Sequence, residues 1–218
     1  MKVCFLITTY NREKSCQRLV DALNGHGDIY VINDGSDYEI MNCIFYSQTM
    51  NLGKPGYWRT VNNLWKIPRI QIPKRFYKYY IMVPDDFYPV KNFVEKTIEI
   101  WNSINDPQKI CLNLFIDNIP RMNCWTCFEA IEYDNYRKTQ WVDMCFMAEK
   151  KFFDVIGVIP EQKFDWNNHP EKSSGVGAFI SKKLHKAGYG LYQVKKSIFT
   201  SQKEHEKSQL NNTNRIYS

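Results

Sequence analysis

At 218 residues, with 44% hydrophobic and 24% charged residues, the chain is long enough for one substantial core and too apolar for a disordered segment. Its net charge of +6 is compatible with a polyanionic partner, but the Lys and Arg residues are scattered, so charge alone selects no function. No apolar run approaches the ~20 residues of a spanning helix, and Met1 to Thr9 enters strand-like sequence directly, which predicts a cytoplasmic protein.

Lys2 to Ile7 (KVCFLI) reads as a buried strand that runs into Thr8, Thr9, Tyr10, Asn11 and Arg12, a hydrogen-bonding turn. The following spacing predicts a helix over Arg12 to Leu23, with Cys16, Leu19, Val20 and Leu23 inward and Gly25 and Gly27 closing it. Asp28 to Asn33 is the next strand and ends in Asp34, Gly35, Ser36 and Asp37; Cys43 to Ser47 is a short third. After Asn51, Leu52, Gly53 and Lys54, Pro55 suits the first turn of a helix carrying Val61, Leu64 and Trp65. Tyr79 to Val83 is apolar without alternation, as in a strand buried on both faces of a mostly parallel sheet. Pro84 ends it at Asp85 and Asp86, and Val90, Phe93, Val94, Thr97, Ile98 and Trp101 then keep a helical spacing. The order predicts an α/β, doubly wound, mostly parallel sheet with helices on both faces and its polar loops along one edge. Two carboxylates there suit a hard divalent cation that shares a substrate's phosphates. Equally, Asp85-Asp86 is the chemistry of a loop or a helix N-cap, and Asp34 that of an Asn-Asp-Gly-Ser turn.

Taken together, VCFLITTYNR, VINDGSD, NLGKPG and MVPDDFYP, in this order and at these spacings, resemble the nucleotide-sugar-dependent glycosyltransferases of the Rossmann-like GT-A fold. The resemblance covers residues 1–105 well and the rest loosely, and it implies one domain over 1–218: a nucleotide-sugar half (1–105), an acceptor-side half (106–200) and a polar tail (201–218). It implies a UDP-sugar donor, with Thr8, Tyr10, Arg12 and Asp34 at the nucleobase and Asn51, Gly53 and Lys54 near ribose and diphosphate. It also implies Mn²⁺ or Mg²⁺ on an acidic motif whose first carboxylate is missing here, where Pro84 precedes Asp85 and Asp86. Asp86 is then the expected metal ligand, and Asp85 turns toward sugar or ribose. A C-terminal His followed by basic residues closes over the diphosphate in some relatives, and His205, with Lys207 and Arg215, resembles that arrangement. The alternative for His205 is a solvated tail.

In the second half, Lys109 to Ile116 reads as a strand ending at Asp117, and Pro120 to Arg137 as an acceptor-side loop region. Trp141 to Phe146 reads as a strand carrying Asp143, and Ala148 to Ile156 as a short helix ending at Gly157. Lys182 to Gly190 resembles the family's penultimate helix, but the Glu-Asp pair that supplies the base in inverting members would fall at Val176 and Gly177 and is absent. Asp143, Asp117, Glu171 or Asp165 would stand in, or the enzyme retains configuration and needs no such base. Of seven cysteines, most lie in apolar segments and read as reduced core residues, and Cys124-x-x-Cys127 lacks a second pair with metal spacing.

The expected function is transfer of a sugar from a UDP-sugar to an acceptor hydroxyl. Trp125, Phe128, Tyr133, Tyr136, Arg121, Arg137 and Lys138 make a basic, aromatic acceptor region that suits a hydroxymethylated or glucosylated base in bacteriophage DNA. The same rings would also stack on a saccharide or lipopolysaccharide. A reading of another class is a non-catalytic nucleotide- or nucleic-acid-binding module.

Overall fold

The computed structural model describes residues 2–70, 77–116, 131–164, 168 and 173–201. Strand β1 (Val3–Thr9) lies between β2 (Asp28–Asn33) and β4 (Tyr79–Pro84), parallel to both, and β3 (Ile44–Ser47) extends the parallel array beyond β2. Side-chain alternation explains why helices cover both sides. Val3, Phe5, Ile7, Ile29, Val31, Tyr79, Ile81 and Val83 enter one apolar cluster, while Cys4, Leu6, Tyr30, Ile32, Tyr80 and Met82 enter another. Helices α1 (Glu13–Leu23) and α3 (Phe93–Ser103) close the first face through Leu19, Leu23, Phe93 and Trp101. On the second face lie α2 (Gly53–Ile70), α4 (Lys150–Ile156) and α5 (Val176–Lys186), through Leu64, Trp65, Phe152 and Ile180.

Four further strands complete the sheet: β6 (Lys109–Asn113), β7 (Tyr136–Thr139), β8 (Phe146–Ala148) and β9 (Gly190–Val194). The eight-stranded order is β3-β2-β1-β4-β8-β6-β9-β7, with β8 antiparallel to both β4 and β6. A separate ribbon pairs β5 (Phe87–Pro89) with β10 (Phe199–Ser201) and sets Ser201 opposite Phe87. Because Thr9 pairs with Asn33, and Thr8 with Pro84, the loops after β1, β2 and β4 leave the sheet at one edge. No helix among the described residues is long and apolar enough to cross a membrane.

The second half departs from expectation where polar side chains replace strand pairing. Trp141 to Cys145 is a loop, and the strand begins only at Phe146. Asn113 Nδ2 donates to Trp141 O (2.6 Å), Asn113 Oδ1 accepts the Asp143 N–H (2.9 Å), and Ser181 Oγ accepts the Val142 N–H (2.8 Å). Both Asn113 and Ser181 are fully buried, so the loop backbone is satisfied without a neighbouring strand. The same Asn113 ends β6 short of the expected Ile116. Because Ala148 belongs to β8, α4 starts at Lys150, and Val90 precedes α3 with its N–H bonded to Ile198 O (2.9 Å). Strands β5, β7, β9 and β10 were not expected, and the helix expected over Lys182 to Gly190 instead spans Val176–Lys186, with Gly190 opening β9. Residues 117–130, with Cys124 and Cys127, lie outside the described residues, and Cys4, Cys16, Cys43, Cys111 and Cys145 are free.

On the second face, buried Asn62 of α2 pins the segment after α4: its Nδ2 donates to Ile159 O (2.8 Å) and its Oδ1 accepts the Ile159 N–H (3.0 Å). Asn62→Ala strands both backbone groups and should cost about 2 kcal/mol or more in urea unfolding. A change under about 0.5 kcal/mol would show that Ile159 finds other partners.

Candidate active site

At the carboxyl edge of β1, β2 and β4 lies a cavity of about 320 Å³, within the range of small-molecule sites. The eight described residues nominated for the donor, Thr8, Tyr10, Arg12, Asp34, Asn51, Gly53, Lys54 and Asp85, all line it. Thr9, Tyr57, Thr60, Pro84 and Ser174 complete the wall. Tyr57 and Thr60 were missed although the signal existed: they follow Gly53 by four and seven residues, one face of α2. Tyr57 is half-buried, its hydroxyl 3.3 Å from Thr8 Oγ1, and burial pushes its pKa up to about 12, so it is a neutral hydrogen-bonding group. Ser174 joins from the second half just before α5, and nothing local in the sequence marks it.

Asp34 is built into the start of α2. Its N–H donates to Thr9 O (2.8 Å), while Oδ1 accepts from Gln48 Nε2 (2.9 Å), Leu52 N (3.2 Å) and Thr60 Oγ1 (3.2 Å). The carboxylate thus caps the helix from a neighbouring loop. Burial raises its pKa, against the opposing bonds from Leu52, Thr60 and the Gly53 N–H. Gly35 makes the turn: its φ is +84°, and an added Cβ would come within 2.3 Å of Asn51 N.

Asp85 and Asp86 are buried side by side. Arg12 Nη1 reaches Asp85 Oδ1 at 2.9 Å and Asp86 Oδ2 at 3.1 Å, and Thr9 Oγ1 donates to Asp85 Oδ2 at 2.8 Å. With its proton committed there, Thr9 Oγ1 accepts from the Tyr38 hydroxyl (2.7 Å), which itself accepts the Arg12 N–H (3.1 Å). Burial lifts the Asp85 pKa to about 6, Arg12 opposes that and Asp86 adds to it. Two buried carboxylates therefore face one guanidinium, and the site is short of positive charge. That deficit and the pair of hard oxygen donors fit Mn²⁺ or Mg²⁺ shared with a diphosphate, but of the two only Asp85 lines the cavity, and Asp86 lies behind it. Among the described residues no group of three His, Cys, Asp or Glu could hold a metal by itself. His205, Lys207 and Arg215 lie outside the described residues, as do Asp117, Asp165 and Glu171.

Half-buried Asp143 sits in the loop held by Asn113 and Ser181. Burial pushes the Cys145 thiol up, and the charges of Asp143 and Asp86 push it further. Where relatives are expected to carry an acid, the backbone of Gly177 abuts this loop, and an added Cβ would lie 2.7 Å from Val142 O. On the expected acceptor face, Tyr136 is buried and stacked on Tyr133 (4.6 Å between ring centroids), and Arg137 Nε donates to Gln193 Oε1 (2.8 Å). Arg121, Trp125 and Phe128 lie outside the described residues.

No protein-family model and no curated protein sequence matches the chain. Among solved structures it is similar to S. aureus TarS, at 13% identity and a TM-score of 0.61, covering 95% of this chain and 38% of that one. It is also similar to S. aureus TarS 1–349 in complex with UDP-GlcNAc (13% identity, TM-score 0.61, 93% and 59% covered). The corresponding UDP complex gives 13% identity, a TM-score of 0.59, and 98% and 64% covered. This chain spans less than two thirds of each of these chains. The likeness is one of fold: a mixed α/β, Rossmann-like fold similar to that of TarS.

The raised Asp85 pKa carries a stability consequence. Folded Asp85 holds its proton to about pH 6 against a reference value of 3.8, so the folded state binds more protons between those limits. Its contribution is fully present below the lower limit and lost as pH rises through the upper one. Asp85→Asn should therefore stabilise the ligand-free protein at pH 8 by roughly 1–3 kcal/mol. The gain should shrink between pH 6 and 4 and disappear below that range, as read by urea unfolding across pH. A loss of stability at pH 8 would mean that the bond to Arg12 outweighs burial.

Proposed function

We propose that this chain transfers a sugar from a UDP-sugar to an acceptor hydroxyl. The observation that carries the reading is convergence: eight residues nominated from four separated loops line one cavity, in a fold shared with TarS structures in complex with UDP-GlcNAc and UDP. In this reading Asp34 accepts the uracil imide N–H beside Thr8 and Tyr10. Asn51, Gly53 and Lys54, at the positive end of α2, face the ribose and diphosphate. Asp86, with Asp85 beside it and His205 from the tail, would hold Mn²⁺ or Mg²⁺, which when bound would supply Lewis-acid neutralisation of the departing UDP. Lys207 and Arg215 add positive charge around the phosphates, while Arg12, expected at the nucleobase, is paired in the ligand-free protein with Asp85 and Asp86.

For the acceptor step we assign Asp143, with Asp117 and Glu171 as the competing carboxylates. The acceptor oxygen forms a bond to the anomeric carbon, the bond from that carbon to the diphosphate breaks, and Asp143 takes the hydroxyl proton. The packing of Gly177 against Val142 supports this assignment, because it leaves no room for an acid at the start of α5 and puts the Asp143 loop beside it. The described part of the acceptor side favours a saccharide over DNA, since Tyr136 is packed in the core and Arg137 is tied to Gln193. Glucosylated or hydroxymethylated DNA is the acceptor to test against it.

Incubating the protein with UDP-sugars and Mn²⁺, with and without oligosaccharides or glucosylated DNA, tests the activity and its acceptor through UDP release. Turnover in EDTA equal to that in Mn²⁺, or no release with any donor, would defeat the enzymatic reading as stated. Asp86→Asn should abolish Mn²⁺-dependent release while leaving the circular dichroism spectrum intact. Asp143→Asn should slow transfer by about 10²-fold or more and leave UDP affinity within about twofold, the pattern of a lost proton acceptor. Transfer undiminished in that variant would move the role to Asp117 or Glu171.

A further inference from the structure

Arg12 does in this structure what a bound cation would do. One nitrogen, Nη1, lies 2.9 Å from Asp85 Oδ1 and 3.1 Å from Asp86 Oδ2, bridging the expected metal ligand Asp86 and its neighbour Asp85. Building on the cation reading above, we propose that Arg12 occupies the cation's place in the ligand-free protein and is handed to the donor diphosphate when the cation enters.

A guanidinium cannot yield its place by losing a proton, because it stays charged at any working pH, so it must move. Held between the carboxylates while a divalent ion binds them, it would set two like charges in near contact in a buried site, where such repulsion is weakly screened. The local construction permits the movement. The Arg12 main chain is fixed on both sides, by its N–H on the Tyr38 hydroxyl (3.1 Å) and by its carbonyl accepting the Cys16 N–H (2.9 Å) at the start of α1. Its side chain makes no capping bond to α1, is 17% exposed and lines the cavity. A diphosphate in that cavity offers the fork of Arg12 paired oxygens in exchange for the carboxylates it leaves. Thr9 keeps its bond to Asp85 Oδ2 throughout, so the carboxylate retains its orientation when Arg12 departs. Cation and donor then assist each other's entry, because each removes part of what holds Arg12 in place.

Two roles for Arg12 predict opposite signs. If it competes with the cation, neutralising it frees the carboxylates; if it only braces them, its removal scatters them. Free Mn²⁺ measured by electron paramagnetic resonance over wild-type protein and Arg12→Gln, each with and without UDP, separates the two. The expected result is ligand-free Mn²⁺ affinity about tenfold higher in Arg12→Gln, with the tightening caused by UDP reduced by a similar factor. Arg12→Lys, which keeps the charge but lacks the planar fork, should show a smaller gain of the same sign and serves if Arg12→Gln does not fold. Mn²⁺ affinity unchanged or lowered in the folded variants overturns the handover and leaves the cation reading standing. No Mn²⁺ binding by wild-type protein even with UDP removes the cation reading, and the handover with it.

Discussion

Burying two adjacent carboxylates at the end of a central strand is the constraint around which the cavity is built. Neither Asp85 nor Asp86 has bulk water to spread its charge, so the fold must bring compensation to them. It comes from elsewhere in the chain. Arg12 and Thr9 arrive at the end of β1, and the Tyr38 hydroxyl that orients both arrives from the loop after β2. Those partners meet only because β2, β1 and β4 run parallel in the observed register, which aligns Asn33, Thr9 and Pro84 at one edge. Sheet order and charge compensation are therefore one arrangement seen at two scales.

The first half was legible because its signals are local. Asp28 to Asn33 is bounded in the structure as its apolar run predicts, and β1 and β4 differ from expectation by one to two residues at their ends. Each of these strands has apolar residues on both faces, so each finds cover whichever way it turns. In the second half the deciding contacts are non-local. Nothing near Trp141 announces that Asn113 and Ser181 will take its neighbours' hydrogen bonds, and so alternation suggested a strand where a clamped loop stands. Strands β5 and β10 are three residues each, too short for a periodic signal, and they pair across more than a hundred residues. The cavity shows the same division: Thr8, Arg12, Asp34 and Asp85 follow from strand ends, Tyr57 and Thr60 were readable from helical spacing, and Ser174 only from the fold.

The likeness to TarS at 13% identity locates what the fold preserves and what it leaves to each chain. A Rossmann-like sheet fixes where loops emerge, and the side chains on those loops set the chemistry. At the start of α5 this chain has Val176, packed in the core, and Gly177, packed against the Val142 carbonyl, a helix end used for close packing. An acid introduced at Gly177 would have to push the neighbouring loop away before it could reach any ligand.

Strand β8 deserves to be seen as a seam. Beyond it lie β6, β9 and β7 with the Asn113 clamp, and before it lie the four parallel strands that frame the cavity. Only three residue pairs, Tyr80 with Ala148, Ile81 with Met147 and Met82 with Phe146, stitch the sheet across that line on the β4 side. Ser174 reaches the cavity from across that line, and Asp143 sits in the loop that leads into β8. Met147 enters one apolar cluster and Phe146 and Ala148 the other, so the separation of the two banks is set by core packing on both faces of the sheet.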